Sequence, residues 1–258
     1  MREAVAVPEV KRKPLCFLTL DFRDAFDRIS HQYLFAILHS YGFRNSFVDL
    51  IRHMYKDASS MVQVNGHLSA PFLIQCSVRQ GCPLSMTLFT LCINPLIYRL
   101  EKQLRGIRVN WRQGKTSVVA YADDGTVLVT APEEIAAIEE ELRFYEEANG
   151  AKLNIAKSHA MALGSWNTTR TVINIHYSTE VKILGIQIAN TTAQSAVSSW
   201  SPITNMVRLH GREAYTRDLD LAQRIQYVHT YLLAKLWYTA KVLPAPSVQI
   251  RQIVSAVA

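Results

Sequence analysis

The chain has 258 residues, 49% of them hydrophobic, enough to build a sizeable core in one large or two small domains and to exclude disorder. Lys and Arg total 28 against 21 Asp and Glu, and the resulting +7 favours a polyanionic partner without identifying it. With no signal-like N-terminus and no uninterrupted apolar span of about 18 or more residues, an intracellular protein, nuclear or cytoplasmic, is expected rather than a secreted or membrane one.

In chain order, Leu15-Cys16-Phe17-Leu18-Thr19-Leu20 is a nearly continuous apolar run that suits a central strand covered on both faces, and Asp21 follows it directly. Ser30 caps a predicted helix carrying Leu34, Ile37, Leu38 and Tyr41 and ended by Gly42; Asn45 or Ser46 caps the next, with Phe47, Leu50, Ile51 and Met54 as its stripe. Met61 to Val64, the turn Asn65-Gly66 and Phe72 to Ile74 read as a hairpin. A long helix is predicted from Leu84 to Leu104, with a kink at Asn94-Pro95. Two short apolar strands, Ser117 to Tyr121 and Thr126 to Thr130, flank a second hairpin in which Asp124-Gly125 is the turn signal. Thr130 and Pro132 open an acidic helix closed by Gly150, whose glutamates from Glu133 to Glu147 are expected to face away from nucleic acid. Short strands fill 152–188, the small polar residues 190–199 read as a linker, and Leu221 to Val242 reads as a helix stopped by Pro244 and Pro246.

Asp123 and Asp124 at the tip of the second hairpin, and Asp21 at the end of a buried strand, are the candidate chemistry. Carboxylates between hydrophobic strands are costly to leave unpaired, and a hard divalent cation resolves their repulsion. Taken singly, each is as well explained by turn formation. Two-metal phosphoryl transfer needs carboxylates converging from different segments, and Asp21 with Asp123 is the pair that would supply them. Cys16, Cys76, Cys82 and Cys92 lack the paired spacing of a zinc site and read as buried reduced thiols, and the eight histidines show no ligand pattern. Basic groups occur at Lys11-Arg12-Lys13, between Arg99 and Arg112, and at Arg208, Arg212, Arg217 and Arg224.

Leu20-Asp21-Phe22-Arg23-Asp24-Ala25-Phe26-Asp27-Arg28-Ile29, Val78-Arg79-Gln80-Gly81-Cys82-Pro83-Leu84-Ser85 and Tyr121-Ala122-Asp123-Asp124 resemble three successive palm motifs of reverse transcriptases. Gly150-Ala151-Lys152-Leu153-Asn154-Ile155-Ala156-Lys157-Ser158 and Val181-Lys182-Ile183-Leu184-Gly185-Ile186 extend the match, and the wording is most similar to non-LTR (LINE-type) retrotransposon enzymes. The resemblance implies two Mg²⁺, or Mn²⁺ in their place, held by Asp21, Asp123 and Asp124, with an RNA template, a DNA primer and dNTP as partners. It implies that Lys157 protonates the leaving pyrophosphate and that Phe22, Asp24, Phe26, Gln80, Gly81, Lys182 and Gly185 line the substrate site. Phe26 would lie under the sugar and collide with a ribose 2′-hydroxyl, while Lys182 and Gly185 would form the primer grip.

The expected fold is α+β, a right-hand polymerase palm with partial fingers and the start of a helical thumb. Its expected divisions are a palm over 1–190, a linker over 191–199 and a thumb-like helical segment over 200–258. The expected function is RNA-directed DNA polymerase of a non-LTR retrotransposon. With few residues ahead of Asp21 the chain is expected to be a truncated fragment, and the alternative is a catalytically inactive nucleic-acid-binding remnant or domesticated palm scaffold.

Overall fold

A computed structural model describes residues 13–79, 81–108, 114–169 and 172–257. Gln80, Lys11, Arg12 and Arg112, all singled out above, lie outside the described residues. In chain order the elements are β1 (Leu15–Leu20), α1 (His31–Ser40), α2 (Asn45–Tyr55), β2 (Ser59–Ser60), β3 (Gln63–Val64), β4 (His67–Leu68), β5 (Phe72–Leu73), α3 (Ser85–Gln103), β6 (Ile107–Arg108), β7 (Lys115–Thr116), β8 (Val118–Tyr121), β9 (Asp124–Val129) and α4 (Glu134–Asn149). They continue as β10 (His159–Leu163), β11 (Glu180–Ile183), β12 (Ile186–Ala189), α5 (Thr192–Tyr215), α6 (Leu221–Tyr227), a π-helical stretch (Val228–Leu233), α7 (Ala234–Val242) and α8 (Ser247–Val257).

The continuous apolar run of β1 has the environment it demands. The strand lies inside an antiparallel sheet of order β10-β1-β9-β8, and its side chains alternate between two cores. Cys16, Leu18 and Leu20 pack with Leu34, Leu38, Phe89, Leu96, Ile138 and Leu142 from α1, α3 and α4. Leu15 and Phe17 enter the opposite core, with Val181, Ile183, Ile186 and Ile188 of the β11–β12 hairpin and Leu243. A third cluster, Ala196, Trp200, Val207, Leu232 and Ile253, binds the C-terminal helices together.

Local signals placed several ends correctly. Ser30 accepts the Tyr33 amide as the cap of α1, Pro95 lies inside α3, and Gly150 closes α4 at φ 83°, a left-handed cap that glycine adopts without a Cβ clash. The turn Asn65-Gly66 is present, both residues at positive φ, but it joins β3 to the adjacent β4, while Phe72 and Leu73 pair with Ser60 and Ser59.

Two expectations, the linker and the burial of all four cysteines, are corrected. The stretch read as a linker, 191–199, is the start of α5, capped by the Thr191 hydroxyl. Ser195 and Ser199 are buried against β12, where Ser195 accepts the Ala189 amide at 2.8 Å and Ser199 the Gln187 amide at 3.0 Å. The acidic helix carries two buried glutamates beside its exposed ones. Glu134 is buried and accepts from the Arg105, Thr130 and Ala131 amides, and buried Glu141 is gripped by Arg99 and Gln103. Of the cysteines only Cys16 and Cys92 are buried, with Cys76 exposed and Cys82 between.

Among the described residues no helix is long and apolar enough to cross a membrane.

Candidate active site

Sheet register assembles the site. The β1–β9 ladder runs to Leu20 opposite Gly125, so its next step sets Asp21 beside Asp124, and β8 closes on β9 with Tyr121 opposite Asp124. The hairpin tip is therefore Ala122-Asp123, with Ala122 at φ 53°, and not the Asp124-Gly125 pair expected from turn chemistry. Gly125 is a ladder residue instead, paired with Leu20 on one side and Ala120 on the other. Asp123 thus stands on the turn and Asp124 on the strand, which gives the two neighbours different directions.

Asp21 is half-buried, Asp123 and Asp124 are exposed, and Tyr121 beside them is 73% exposed. Among the described residues none of the three carboxylates has an ion pair or a side-chain hydrogen bond. Such an unpartnered, oxygen-only set suits a hard divalent cation. Also among the described residues, no group of three or more His, Cys, Asp or Glu is arranged to hold a metal ion. Mg²⁺ characteristically takes only one or two carboxylates and completes its shell with water and substrate phosphates, so an open pair of acidic segments fits that ion better than a closed cage would.

The segment 152–158 is fastened to Asp21. The Arg23 amide donates to the Lys152 carbonyl at 2.8 Å, the Asn154 amide to the Asp21 carbonyl at 2.7 Å, and the Asp21 amide to the Ser158 hydroxyl at 3.1 Å. Lys157, exposed, sits in the turn that the Asn154 carbonyl closes by accepting its amide at 3.1 Å. Asp21, Asp123, Asp124 and Lys157 therefore share one end of the central sheet.

Beyond Asp21 the chain turns at Asp24, φ 49°, whose carbonyl accepts from the Asp27 and Arg28 amides. Phe22 is buried against Tyr145. Phe26 is half-buried, stacks on Phe89 of α3, and accepts the Val78 amide on its carbonyl at 2.8 Å, which draws the 78–85 motif alongside. Within that motif the Arg79 guanidinium lies 5.7 Å from the Tyr55 ring centre, and Ser85, buried, turns its hydroxyl back to the Arg79 carbonyl. Gly81 has φ 82° and open space where a Cβ would stand, so backbone conformation is its requirement.

Lys182 and Gly185 lie apart, on the separate β11–β12 sheet. Lys182 is exposed, and the hairpin turns through Leu184 and Gly185 at φ 47° and 81°. Tyr238 of α7 donates its hydroxyl to the Leu184 carbonyl and so ties the helical region to this tip. Sequence reasoning missed the supporting roles of Tyr238, Ser158 and Glu134. Ser158 stands inside a quoted motif, but only the pairing of β10 with β1 shows where its hydroxyl goes.

Comparison with known proteins bears on the fold and the family. The "Transposon TX1 uncharacterized 149 kDa protein" of Xenopus laevis is 29% identical over 87% of this chain and 18% of its own length. A Pol polyprotein from the type-1 retrotransposable element R2 of Popillia japonica is 29% identical over 46% of this chain and 20% of its own. The R2DM polyprotein of Drosophila melanogaster is 28% identical over 57% of this chain and 14% of its own. The chain thus spans less than a quarter of the length of these relatives. Among solved structures, apo telomerase of Candida tropicalis superposes with a TM-score of 0.53 at 14% identity over 73% of this chain and 36% of that one. Telomerase of Candida albicans does so with 0.53 at 14% over 81% and 36%. These superpositions show the α+β polymerase palm fold. The model of the reverse transcriptase (RNA-dependent DNA polymerase) family matches residues 4–188, and the chain belongs to that family.

Proposed function

We propose that this chain is the RNA-directed DNA polymerase domain of a non-LTR retrotransposon, extending a DNA primer on an RNA template with dNTP. The observation that carries the reading is the placement of Asp21 beside the Asp123-Asp124 hairpin at one end of the central sheet. Family membership and the transposon and retrotransposable-element relatives support it.

Two Mg²⁺, or Mn²⁺, would be held by Asp21 and Asp123, with Asp124 completing or orienting the site, and when bound such ions lower the pKa of the attacking 3′-hydroxyl and neutralise charge on the phosphates. The residues of the chain supply the rest. The half-buried position of Asp21 and its fastened backbone hold one carboxylate at a set height beside the exposed pair. Lys157, on the same sheet end, donates a proton to the leaving pyrophosphate. The Phe26 ring, supported by Phe89, forms the wall that excludes a 2′-hydroxyl. Phe22 and Asp24 shape the turn under the triphosphate, Gly81 lets backbone approach the template base pair, and Lys182 with Gly185 meets the primer backbone.

Primer extension on poly(A) RNA with oligo-dT and dTTP tests the reading. Divalent-ion-dependent incorporation that disappears in Asp123→Asn is expected. Folded protein that binds primer and template but incorporates nothing would overturn it in favour of a binding scaffold.

A further inference from the structure

We propose that Ser158 is a positioning residue for Asp21, and that the turn carrying it makes the placement of Lys157 depend on the same strand end. The inference rests on the polymerase reading and deepens it. The β1–β10 ladder stops at Thr19 opposite His159, two residues short of Asp21. From that pair onward hydroxyls replace backbone groups. Thr19 donates its hydroxyl to the His159 carbonyl at 3.1 Å and accepts the His159 amide at 3.0 Å, and Ser158 accepts the Asp21 amide at 3.1 Å.

On its other side the Asp21 carbonyl accepts from Asn154 at 2.7 Å. Both backbone polar groups of the carboxylate residue are therefore spent on one turn. That turn is closed by the Asn154 carbonyl, which accepts the Lys157 and Ser158 amides at 3.1 and 2.9 Å. Ser158 is 1% exposed, so water has little access to replace its hydroxyl. Without that hydroxyl the Asp21 amide loses its partner, and the strand end relieves the loss by shifting, which displaces Asp21 relative to the Asp123-Asp124 hairpin. Displacements of about 1 Å are enough to cost about 100-fold in an active site.

Ser158→Ala, Ser158→Thr and Ser158→Cys test the proposal, with Ser195→Ala as the control for a buried serine that also accepts a backbone amide but does so on β12 of the separate sheet. The first readout is amide hydrogen exchange at Asp21 and Phe22 in metal-free protein. The second is Mn²⁺ binding, followed by the electron paramagnetic resonance of free ion. Ser158→Ala should exchange faster at Asp21 and bind Mn²⁺ about tenfold more weakly. Ser158→Thr, which restores the acceptor, should return both to the parent values. Ser158→Cys, near in volume with a weaker acceptor, should fall between and serves where the extra methyl of Thr is not tolerated. Ser195→Ala should lower stability with Mn²⁺ affinity unchanged. In primer extension, half-saturating Mg²⁺ should rise in Ser158→Ala while KM for dNTP holds. Unchanged Mn²⁺ affinity in Ser158→Ala, or an equal loss in Ser195→Ala, overturns the positioning role alone, whereas a parent chain that binds no Mn²⁺ overturns the metal reading of the site together with it.

Discussion

Phe26 stacks on Phe89 with ring centres 4.5 Å apart and planes 26° apart, so the candidate sugar wall is supported from behind by α3. A ring held in this way resists displacement when a bulkier sugar presses on it. Phe26→Val should therefore raise ribonucleotide use relative to deoxynucleotide, read as the ratio of kcat/KM values. Because the side chain is half-buried in the main core, the same change should cost about 1–3 kcal/mol in urea unfolding. Lost stability with unchanged sugar discrimination would make Phe26 a core residue only.

Asp21→Asn and Asp123→Asn should each reduce primer extension to background while leaving primer and template binding nearly intact. The carboxylates bear on ion binding, and phosphate contacts elsewhere carry the affinity. Asp124→Asn, on the strand rather than the turn, should lose less. A drop of only a few-fold for Asp21→Asn would remove it from the metal set.

Glu134 holds three backbone amides between α3 and β9, with its side chain buried. Glu134→Ala leaves these donors unanswered and should destabilise the fold by about 2–4 kcal/mol. Exposed Glu139→Ala on the same helix should change stability by no more than about 0.5 kcal/mol. Urea midpoints of the two variants decide the matter.

Burial pushes the Cys16 and Cys92 thiols up to about 12. In the unfolded chain thiols titrate near about 8.5, so the unfolded state releases its protons first as pH rises. The stability these thiols contribute is fully present below about pH 8.5 and is lost between there and about 12. Tyr33 and Tyr145, also raised chiefly by burial, extend the loss above about pH 10. Urea midpoints should fall on going from pH 8 to pH 10.5, less steeply in Cys16→Ala with Cys92→Ala. At pH 8 a thiol reagent should label Cys76 and Cys82 and spare the buried pair.

Arg208 and Arg212 are exposed on α5, on the C-terminal side of the sheet elements. Reversing both charges should weaken primer and template binding and flatten its dependence on salt, since each lost phosphate contact removes about one unit from the slope. Reversal of Glu139 and Glu140 should not weaken binding. Equal effects at the two sites would contradict this polarity of the surface.

The amino-acid sequence by itself determined those features that depend on neighbours along the chain. The run Leu15 to Leu20 suits a strand covered on both sides, because its nearly continuous apolar residues leave almost no polar face to meet water. Asn65-Gly66 and Gly150 announce their turn and cap because positive φ is written in residue type. The five motifs identify the family for the same reason: their order is a property of the chain. Tertiary structure decided everything that depends on which strand lies beside which. Pairing of β1 with β9 moved the hairpin turn from Asp124-Gly125 to Ala122-Asp123 and set Asp21 level with Asp124. The approach of 152–158 to Asp21 gave Ser158 a task that its place in the motif did not reveal. The stretch 191–199 looked like a linker because serine and threonine favour turns in isolation, yet β12 offers Ser195 and Ser199 backbone partners and a dry interface, and there the same small residues allow the close packing that makes them a helix.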